Sequence, residues 1–120
     1  MVSIPDPRPE TVQRTAGHFV RGMVCTACGC PSAVRVPWCP RCQSETTERL
    51  FGPKGTVWSS TIVHLRVPNR QSPYALAYVD LDQGPRVLAH VDAAEARLAV
   101  GQVVRLIEAT ADGDVQVTAS

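Results

Sequence analysis

Four cysteines form the pattern in this sequence with the clearest chemical meaning. They stand as two Cys-x-x-Cys pairs with ten residues between the pairs: Cys25, Cys28, Cys39 and Cys42. Each short spacing lets the backbone turn and point two thiolates at one centre, so two pairs supply the four soft ligands of a tetrahedral zinc ion. Four protein ligands leave no position for water or substrate. The spacing therefore predicts one structural zinc ion per chain, held in a zinc ribbon.

Two disulfides or a redox-active pair could use the same cysteines. The first ten residues, MVSIPDPRPE, lack the basic and then apolar segments of a signal peptide, so we expect a cytoplasmic, reducing compartment that favours metal over disulfides. No stretch approaches the ~20 apolar residues of a membrane span. A fifth cysteine, Cys30, is either a spare thiol or a substitute ligand for Cys28.

Residues near the cysteines fit a metal site. Gly29 follows Cys28, where a turn that closes on sulfur favours a positive φ angle. Gln43 holds the equivalent position after Cys42, where a second glycine is expected. Four thiolates around Zn²⁺ leave a net charge of about −2. Three arginines are close enough in the sequence to offset that charge: Arg21, Arg35 and Arg41.

The composition limits the function classes. With 120 residues, the chain suits one compact domain with a small appendage. Its formal net charge of +1 and its 5% aromatic residues predict neither a strong attraction to nucleic acid nor one to an anionic membrane.

The first half of the sequence indicates an arm followed by the ribbon. We expect an N-terminal arm over residues 1–17, with a short helical turn at Thr11–Gly17, and a zinc ribbon over 18–52. The ribbon strands are predicted at His18–Val24, Ala33–Val36 and Thr46–Phe51. The sequence Gly52-Pro53-Lys54-Gly55 breaks the pattern and marks a domain boundary.

Residues 53–120 are predicted to form a second, mainly β domain. Alternating and β-branched residues predict five strands: Thr56–Val67, Tyr74–Leu81, Arg86–Val91, Gln102–Ala109 and Asp114–Ala119. A short helix is expected over Asp92–Val100, between the third and fourth strands. This is the order of a five-stranded Greek-key OB barrel. The predicted fold is thus mainly β, a rubredoxin-like zinc ribbon followed by an OB-fold barrel with one short helix.

This combination resembles the acyl-CoA-associated family of zinc-ribbon/OB-fold proteins, often described as a domain of unknown function. The resemblance extends from about Phe19 to Thr118. It rests on CTAC, CPRC, GTVWSSTIVH, SPYALAYVDLDQGPRVLAHV and VGQVVRL, in this order and spacing. The N-terminal helical arm usual in the family is abbreviated here.

The resemblance implies an accessory subunit in acyl-CoA, lipid or steroid metabolism. Members of the family form hetero-oligomers with thiolase-like enzymes, and sometimes with hot-dog-fold hydratases. The complexes perform thiolase reactions or the retro-aldol cleavage of a steroid side-chain CoA thioester. The small subunit stabilises its partner and helps to hold the CoA or pantetheine arm, while the chemistry resides in the partner.

The residues themselves predict no catalytic site. His18, His64 and His90 are isolated in the sequence, and residues 59–61 (Ser-Ser-Thr) adjoin no base. Gly52-Pro53-Lys54-Gly55 lacks the length of a phosphate-binding loop.

The best candidate for a partner-binding or CoA-binding surface is the loop 66–73 between the first two barrel strands. Arg66 and Arg70 could pair with CoA phosphates beside Tyr74, although a loop that is merely solvated is the alternative. Trp58 and Tyr74 are expected in the core by default. The alternative is an interface formed by exposed apolar surface near the loop, with Leu65, Val67 and Tyr74.

Two other functions remain open at this stage. A single-stranded nucleic-acid binder uses the same two modules but needs a basic groove with stacking aromatics. A stand-alone enzyme needs a base–nucleophile pair that the sequence does not display.

Overall fold

Two β-sheets contain all the strands of the residues that the structure describes, which are 8–65, 68, 73–92 and 98–120. The structure is a computed structural model. The described residues form nine strands: β1 (Glu10–Arg14), β2 (Gly17–Cys25), β3 (Pro31–Ser32), β4 (Thr46–Phe51), β5 (Lys54–Val63), β6 (Tyr74–Leu81), β7 (Arg86–Val91), β8 (Val103–Ile107) and β9 (Gln116–Ala119).

The first sheet forms around β2. This strand pairs antiparallel with β1 and β3 along one edge and with β4 along the other. The helical turn predicted at Thr11–Gly17 is wrong: Thr11 and Val12 lie in β1, because their β-branched side chains favour a strand that can pair with β2. The linking strand predicted at Ala33–Val36 is also wrong, since β3 comes earlier and has only two residues.

The second sheet is a closed barrel. Its strand order is β5-β6-β7-β9-β8, with β8 pairing back onto β5. All neighbours are antiparallel except β7 and β9. Each barrel strand thus has a hydrogen-bonded neighbour on both sides. The prediction of a mainly β fold, a ribbon followed by a five-stranded barrel, is confirmed.

The predicted helix over Asp92–Val100 falls mostly on residues 93–97, which lie outside the described residues. Within the described part of the chain, no helix has the length and apolar character needed to cross a membrane.

A β-bulge in β5 decides which side chains of this strand enter the barrel. Val57 pairs with Val79 and Ser59 with Tyr78, so Trp58 is the extra residue that has no partner of its own. Val57 is buried, and after the bulge the inward side chain is Ile62, which packs against the core. The prediction of Trp58 as a core residue is wrong: its side chain is 50% exposed.

Phe51, the last residue of β4, connects the ribbon to the barrel. Its side chain is 1% exposed and belongs to the same hydrophobic core as Leu106 of β8. The turn between β6 and β7 packs on this ring, because a Cβ placed on Gly84 would lie 2.7 Å from Phe51 Cδ1. Only glycine therefore fits at position 84 without movement of the phenyl ring. β4 ends at Phe51 and β5 begins at Lys54. We propose that the boundary between the ribbon domain and the barrel domain lies between residues 52 and 53.

Candidate functional site

The four predicted cysteine ligands meet at the end of the ribbon. All Sγ atoms of Cys25, Cys28, Cys39 and Cys42 lie within 4.8 Å of one another. The Cys25–Cys42 Sγ separation is 3.4 Å, and Cys28 lies 3.6 Å from both Cys39 and Cys42. A tetrahedron with Zn–S bonds of about 2.3 Å requires S···S separations of roughly 3.8 Å. The cluster therefore has the size and the ligand chemistry of a closed zinc site.

Two nearly identical turns build this cluster. The N–H of Gly29 donates to the carbonyl of Cys25 (3.1 Å), and the N–H of Gln43 donates to that of Cys39 (2.8 Å). Gly29 has a φ of 75° and Gln43 a φ of 65°. Both turns thus need the left-handed backbone that the sequence predicted at these positions, and Gln43 adopts it without being glycine.

Backbone N–H groups point at the sulfur atoms. Those of Ala27 and Cys28 lie 3.4 and 3.3 Å from Cys25 Sγ, and that of Arg41 lies 3.4 Å from Cys39 Sγ. These donors stabilise thiolates, because a hydrogen bond to the charged form favours that form. The backbone N–H groups are therefore placed to donate to a metal-bound thiolate at Cys25 or Cys39.

The neighbouring residues also shift the pKa values of the clustered thiols. Hydrogen bonds from Ser44, first from its side chain and then from its backbone, lower the pKa of Cys42 to about 6. At Cys28 a backbone hydrogen bond from Cys30 lowers the pKa, but the neighbouring thiols, Cys25 first among them, outweigh it and raise the value to about 12. One thiolate forms easily and the next does not. A divalent cation resolves this conflict, since it binds the deprotonated form of every ligand.

Cys30 lies outside the four-sulfur cluster. Its backbone carbonyl accepts a hydrogen bond from Cys25 N at 3.0 Å, just as Ser44 accepts one from Cys39 at 2.8 Å. Cys30 is thus the counterpart of Ser44 in the repeated turn. The ligand set places Cys28, not Cys30, with the other three cysteines.

Two of the three arginines near the cysteines in sequence contact a carboxylate on the ribbon sheet. Arg21 Nε lies 3.6 Å and Arg35 Nη2 lies 3.1 Å from the carboxylate of Glu48, across the ribbon sheet. These two guanidinium groups compensate a carboxylate on β4. Their expected effect on the thiolate charge stays a prediction. Arg41 contributes a backbone donor to Cys39, as described above.

Of the three residues predicted at a partner or CoA surface, Arg66 and Arg70 lie outside the described residues. Tyr74 begins β6 and is half-buried, so the prediction of a core position for it is met only partly. Its ring centroid lies 5.9 Å from that of His90, on β7.

The structure gives His90 a neighbour that the sequence did not reveal. Its Nε2 lies 3.4 Å from Asp114 Oδ2, and Arg8 Nη1 lies 3.2 Å from Asp114 Oδ1. The pairing of β7 with β9 brings these distant residues together, since His90 pairs with Gln116. This group joins the N-terminal segment to the barrel.

Sequence reasoning missed one exposed apolar surface of the barrel, away from the loop. Among the described residues, four of the seven exposed large apolar side chains lie on neighbouring strands, and we call them the tryptophan face: Trp58, Tyr78, Leu88 and Val103. Tyr78 pairs with Leu88 across β6 and β7, and Val103 on β8 pairs with Thr56, two residues before Trp58. The Trp58 and Tyr78 rings meet edge-to-face with centroids 6.0 Å apart. The bulge that turns Trp58 outward is invisible to strand alternation, which is why the sequence did not predict this face.

An ion pair fixes the tryptophan face at one end. The guanidinium of Arg86 lies 4.0 Å from the centre of the Trp58 ring. Arg86 Nε and Nη2 donate to the two carboxylate oxygens of Asp80, at 2.7 and 3.2 Å. This hydrogen bonding lowers the pKa of Asp80 and raises that of Arg86. Both groups therefore stay charged and compensate each other beside the indole.

Comparisons with known proteins agree with the fold described above. Residues 48–108 match the family described as the C-terminal OB-fold domain of ChsH2. A DUF35 domain-containing scaffold protein of Methanocaldococcus jannaschii is 28% identical over 74 residues, which cover 58% of this chain and 52% of that protein. The chain thus spans about half the length of this curated relative.

Two solved structures share the fold. The first, described as the Ltp2-ChsH2(DUF35) aldolase, matches with a TM-score of 0.70 and 24% identity over 84% of both chains. The second, a protein of unknown function from the DUF35 family of Sulfolobus solfataricus, matches with a TM-score of 0.63 and 18% identity, over 85% of this chain and 76% of that one.

Proposed function

The chain belongs to the family of the ChsH2 C-terminal OB-fold domain, and on that premise we propose that it is a non-catalytic accessory subunit of an acyl-CoA enzyme complex. It binds and stabilises a thiolase-like enzyme, a thiolase or a retro-aldolase, and the CoA thioester reaches it only through that complex. The names of two matching proteins, a scaffold protein and an aldolase assembly, support this class of function.

The observation that carries the proposal is the exposure of Trp58 on the barrel. This residue, one of two tryptophans in the sequence, is 50% exposed, while valine, alanine and leucine fill most of the barrel core. A small protein gains more stability from a tryptophan inside its core than on its surface, because this side chain has a large apolar area. Exposed tryptophan beside tyrosine and arginine is typical of protein interfaces.

The described residues also favour a binding function over a catalytic one. Four protein sulfurs fill the coordination sphere of a tetrahedral metal, so the metal site has no position for a substrate. The hydroxyl of Ser60 donates to the carbonyl of Leu98 at 2.6 Å and is therefore occupied in packing the barrel. The chemistry is accordingly assigned to the partner.

A tagged pull-down from the native organism, with mass spectrometry of the retained proteins, tests the proposal. We expect a thiolase-like enzyme in constant proportion to the tagged chain. Acyl-CoA turnover is then measured for the chain, the enzyme and the mixture. The chain alone should be inactive, and the mixture should be more active or more stable than the enzyme. Turnover by the chain alone, or the absence of any such enzyme, contradicts the proposal.

We propose in addition that Arg66 and Arg70, next to Tyr74, meet the phosphates of CoA in that complex. Guanidinium forks match phosphate geometry, which supports this assignment. Arg66→Ala with Arg70→Ala should raise the KM of the complex for its CoA thioester, whereas Arg14→Ala should leave it unchanged. Equal partner affinity and equal turnover in the double variant contradict this role.

A second function, binding of single-stranded nucleic acid, is favoured by one observation. Trp58 and Tyr78 are exposed on the strand face that OB folds use for such ligands. However, Asp80 already compensates the charge of the adjacent Arg86. Oligonucleotide binding that falls steeply with added salt would support this second function.

A further inference from the structure

The tryptophan face has the composition of a binding hot spot. Tryptophan, tyrosine and arginine dominate the energy of protein interfaces, and three of these side chains meet here: Trp58, Tyr78 and Arg86. Large exposed apolar patches on a small soluble protein are uncommon and mark interaction sites. The composition of this face therefore indicates that it binds a partner.

The face is also held in one conformation. The Trp58 ring lies against the guanidinium of Arg86 on one side and meets the Tyr78 ring edge-on. Two hydrogen bonds to Asp80 fix Arg86 in turn. Side chains that are already fixed lose little conformational entropy when a partner binds, so this arrangement favours affinity.

A groove beside Tyr78 gives the face a recess. Residues 59–61 of β5, residues 76–78 of β6 and Leu88 line it, and it encloses about 190 Å³. Leu76, Tyr78 and Leu88 provide apolar walls, and the hydroxyl-bearing segment 59–61 forms the other side. Such a recess suits an apolar side chain that a partner inserts.

The recess favours one class of occupant. Charge alone does not decide, because the exposed cations Lys54 and Arg105 lie at the edge of the face, while Arg86 and Asp80 form a bidentate pair beside Trp58. The walls formed by Leu76, Tyr78 and Leu88 offer a phosphate no charge. An apolar side chain of a protein gains burial there and beside the aromatic rings.

We propose that the tryptophan face is the docking surface for the partner enzyme, and that it receives a segment of that enzyme with an apolar side chain in the groove beside Tyr78. This inference rests on the proposed function and adds the location and chemistry of the interface. Trp58 and Tyr78 are its anchors. Trp38, on the ribbon, lies outside this surface and serves as the matched control.

The two tryptophans make a direct test possible. The chain is labelled with 5-fluorotryptophan, so that the unlabelled thiolase-like enzyme is silent in ¹⁹F NMR, and the variants Trp38→Phe and Trp58→Phe assign the two signals. On addition of the enzyme, we expect the Trp58 signal to shift and to lose its sensitivity to exchange of H₂O for D₂O. The Trp38 signal should broaden with the larger complex and keep that sensitivity.

Affinity measurements complete the test. Trp58→Ala and Tyr78→Ala should each weaken enzyme binding by about tenfold or more, whereas Trp38→Ala should change it less than about twofold. Zinc content and circular dichroism check that each variant is folded. Because these side chains are largely exposed, their removal should leave the barrel intact.

The contrary outcomes are separable. Undiminished enzyme binding by Trp58→Ala, with an unchanged Trp58 signal, overturns this inference and leaves the proposed function standing. A Trp58 signal that shifts with the concentration of the free chain, together with dimers in sedimentation, makes a second copy the occupant and also overturns it. A shift of the Trp58 ¹⁹F signal caused by a single-stranded oligonucleotide makes nucleic acid the occupant and likewise overturns the inference. Failure of the chain to bind any thiolase-like enzyme removes the proposed function, and this inference with it.

Discussion

The ribbon and the barrel achieve stability by different physical means. In the barrel, apolar side chains from all five strands form one buried core. In the ribbon, the buried apolar side chains Val20 and Phe51 belong to that same core, whereas the far end of the ribbon buries two of the four clustered cysteines, Cys25 and Cys39. Hydrophobic burial therefore holds one end of the ribbon, and we propose that metal ligation holds the other.

Loss of the metal should produce the largest difference in stability between the ribbon and the barrel. Structural zinc contributes on the order of 10 kcal/mol to the folding of small zinc modules. Cys39→Ser should therefore abolish stoichiometric zinc binding and unfold the end of the ribbon, while the barrel keeps its amide protection. Metal analysis and hydrogen exchange measure the two effects.

Cys30→Ser is the matched control for this experiment, because it removes a thiol that lies outside the four-sulfur cluster. It should keep about one zinc per chain. A fully folded, metal-free Cys39→Ser protein would show that the ribbon does not depend on the metal.

Removal of the Phe51 ring should weaken both regions together. This side chain belongs to the shared core, and truncation of a buried phenylalanine to alanine costs about 3–5 kcal/mol. Urea unfolding should show the loss in both the ribbon and the barrel signals. Leu50→Ala, at the preceding, less buried position, should cost much less. A loss confined to the ribbon would mean that the two regions are independent.

A methyl group on Gly84 should disturb the same contact from the barrel side. The added Cβ would lie 2.7 Å from Phe51 Cδ1, and forced overpacking costs about 1–3 kcal/mol. Gly84→Ala should therefore lower the urea midpoint. A double-mutant cycle with Phe51→Leu isolates this contact. If the contact causes the loss of stability, Gly84→Ala should lower the free energy of unfolding by less in the Phe51→Leu background than in the wild-type protein. Equal costs in both backgrounds would assign the loss to the turn itself.

The ion pair on the tryptophan face should give the smallest effect, because both side chains are more than two-fifths exposed. Hydrogen bonding to Arg86 lowers the pKa of Asp80 in the folded protein. The pair therefore contributes its full stability above the ordinary carboxyl pKa of about 3.9, and loses it as the pH falls through the lower, folded value. Arg86→Gln should return the Asp80 pKa towards the ordinary value, as followed by NMR of the carboxyl carbon. An unchanged titration would show that the pair does not form in solution.

Local patterns in the sequence were sufficient for much of the fold. The strands Thr46–Phe51, Tyr74–Leu81 and Arg86–Val91 have the predicted bounds, since each alternates clearly and ends at turn residues. The resemblance to the zinc-ribbon/OB-fold family is confirmed by the match over residues 48–108 and by the two related folds. The prediction at Thr11–Gly17 failed because it lacked knowledge of β2, the strand that makes an extended conformation favourable there.

The residues of the candidate site were likewise only partly predictable from the sequence. The four cysteine ligands could be predicted because the geometry of each pair is local: two thiolates separated by two residues turn towards one centre. Trp58 could not be placed, because the bulge that turns it outward depends on how β5 pairs with β6. The proximity of His90 to Asp114 depends likewise on the parallel pairing of β7 with β9.

The sequence by itself determined the four-cysteine cluster, most of the strands and the order of ribbon and barrel, because short-range spacing and alternation encode them. Only the tertiary structure decided which aromatic side chains face solvent and how Phe51 joins the two regions. Barrel closure and strand register bring together residues that are far apart in the chain, and no local pattern specifies these contacts.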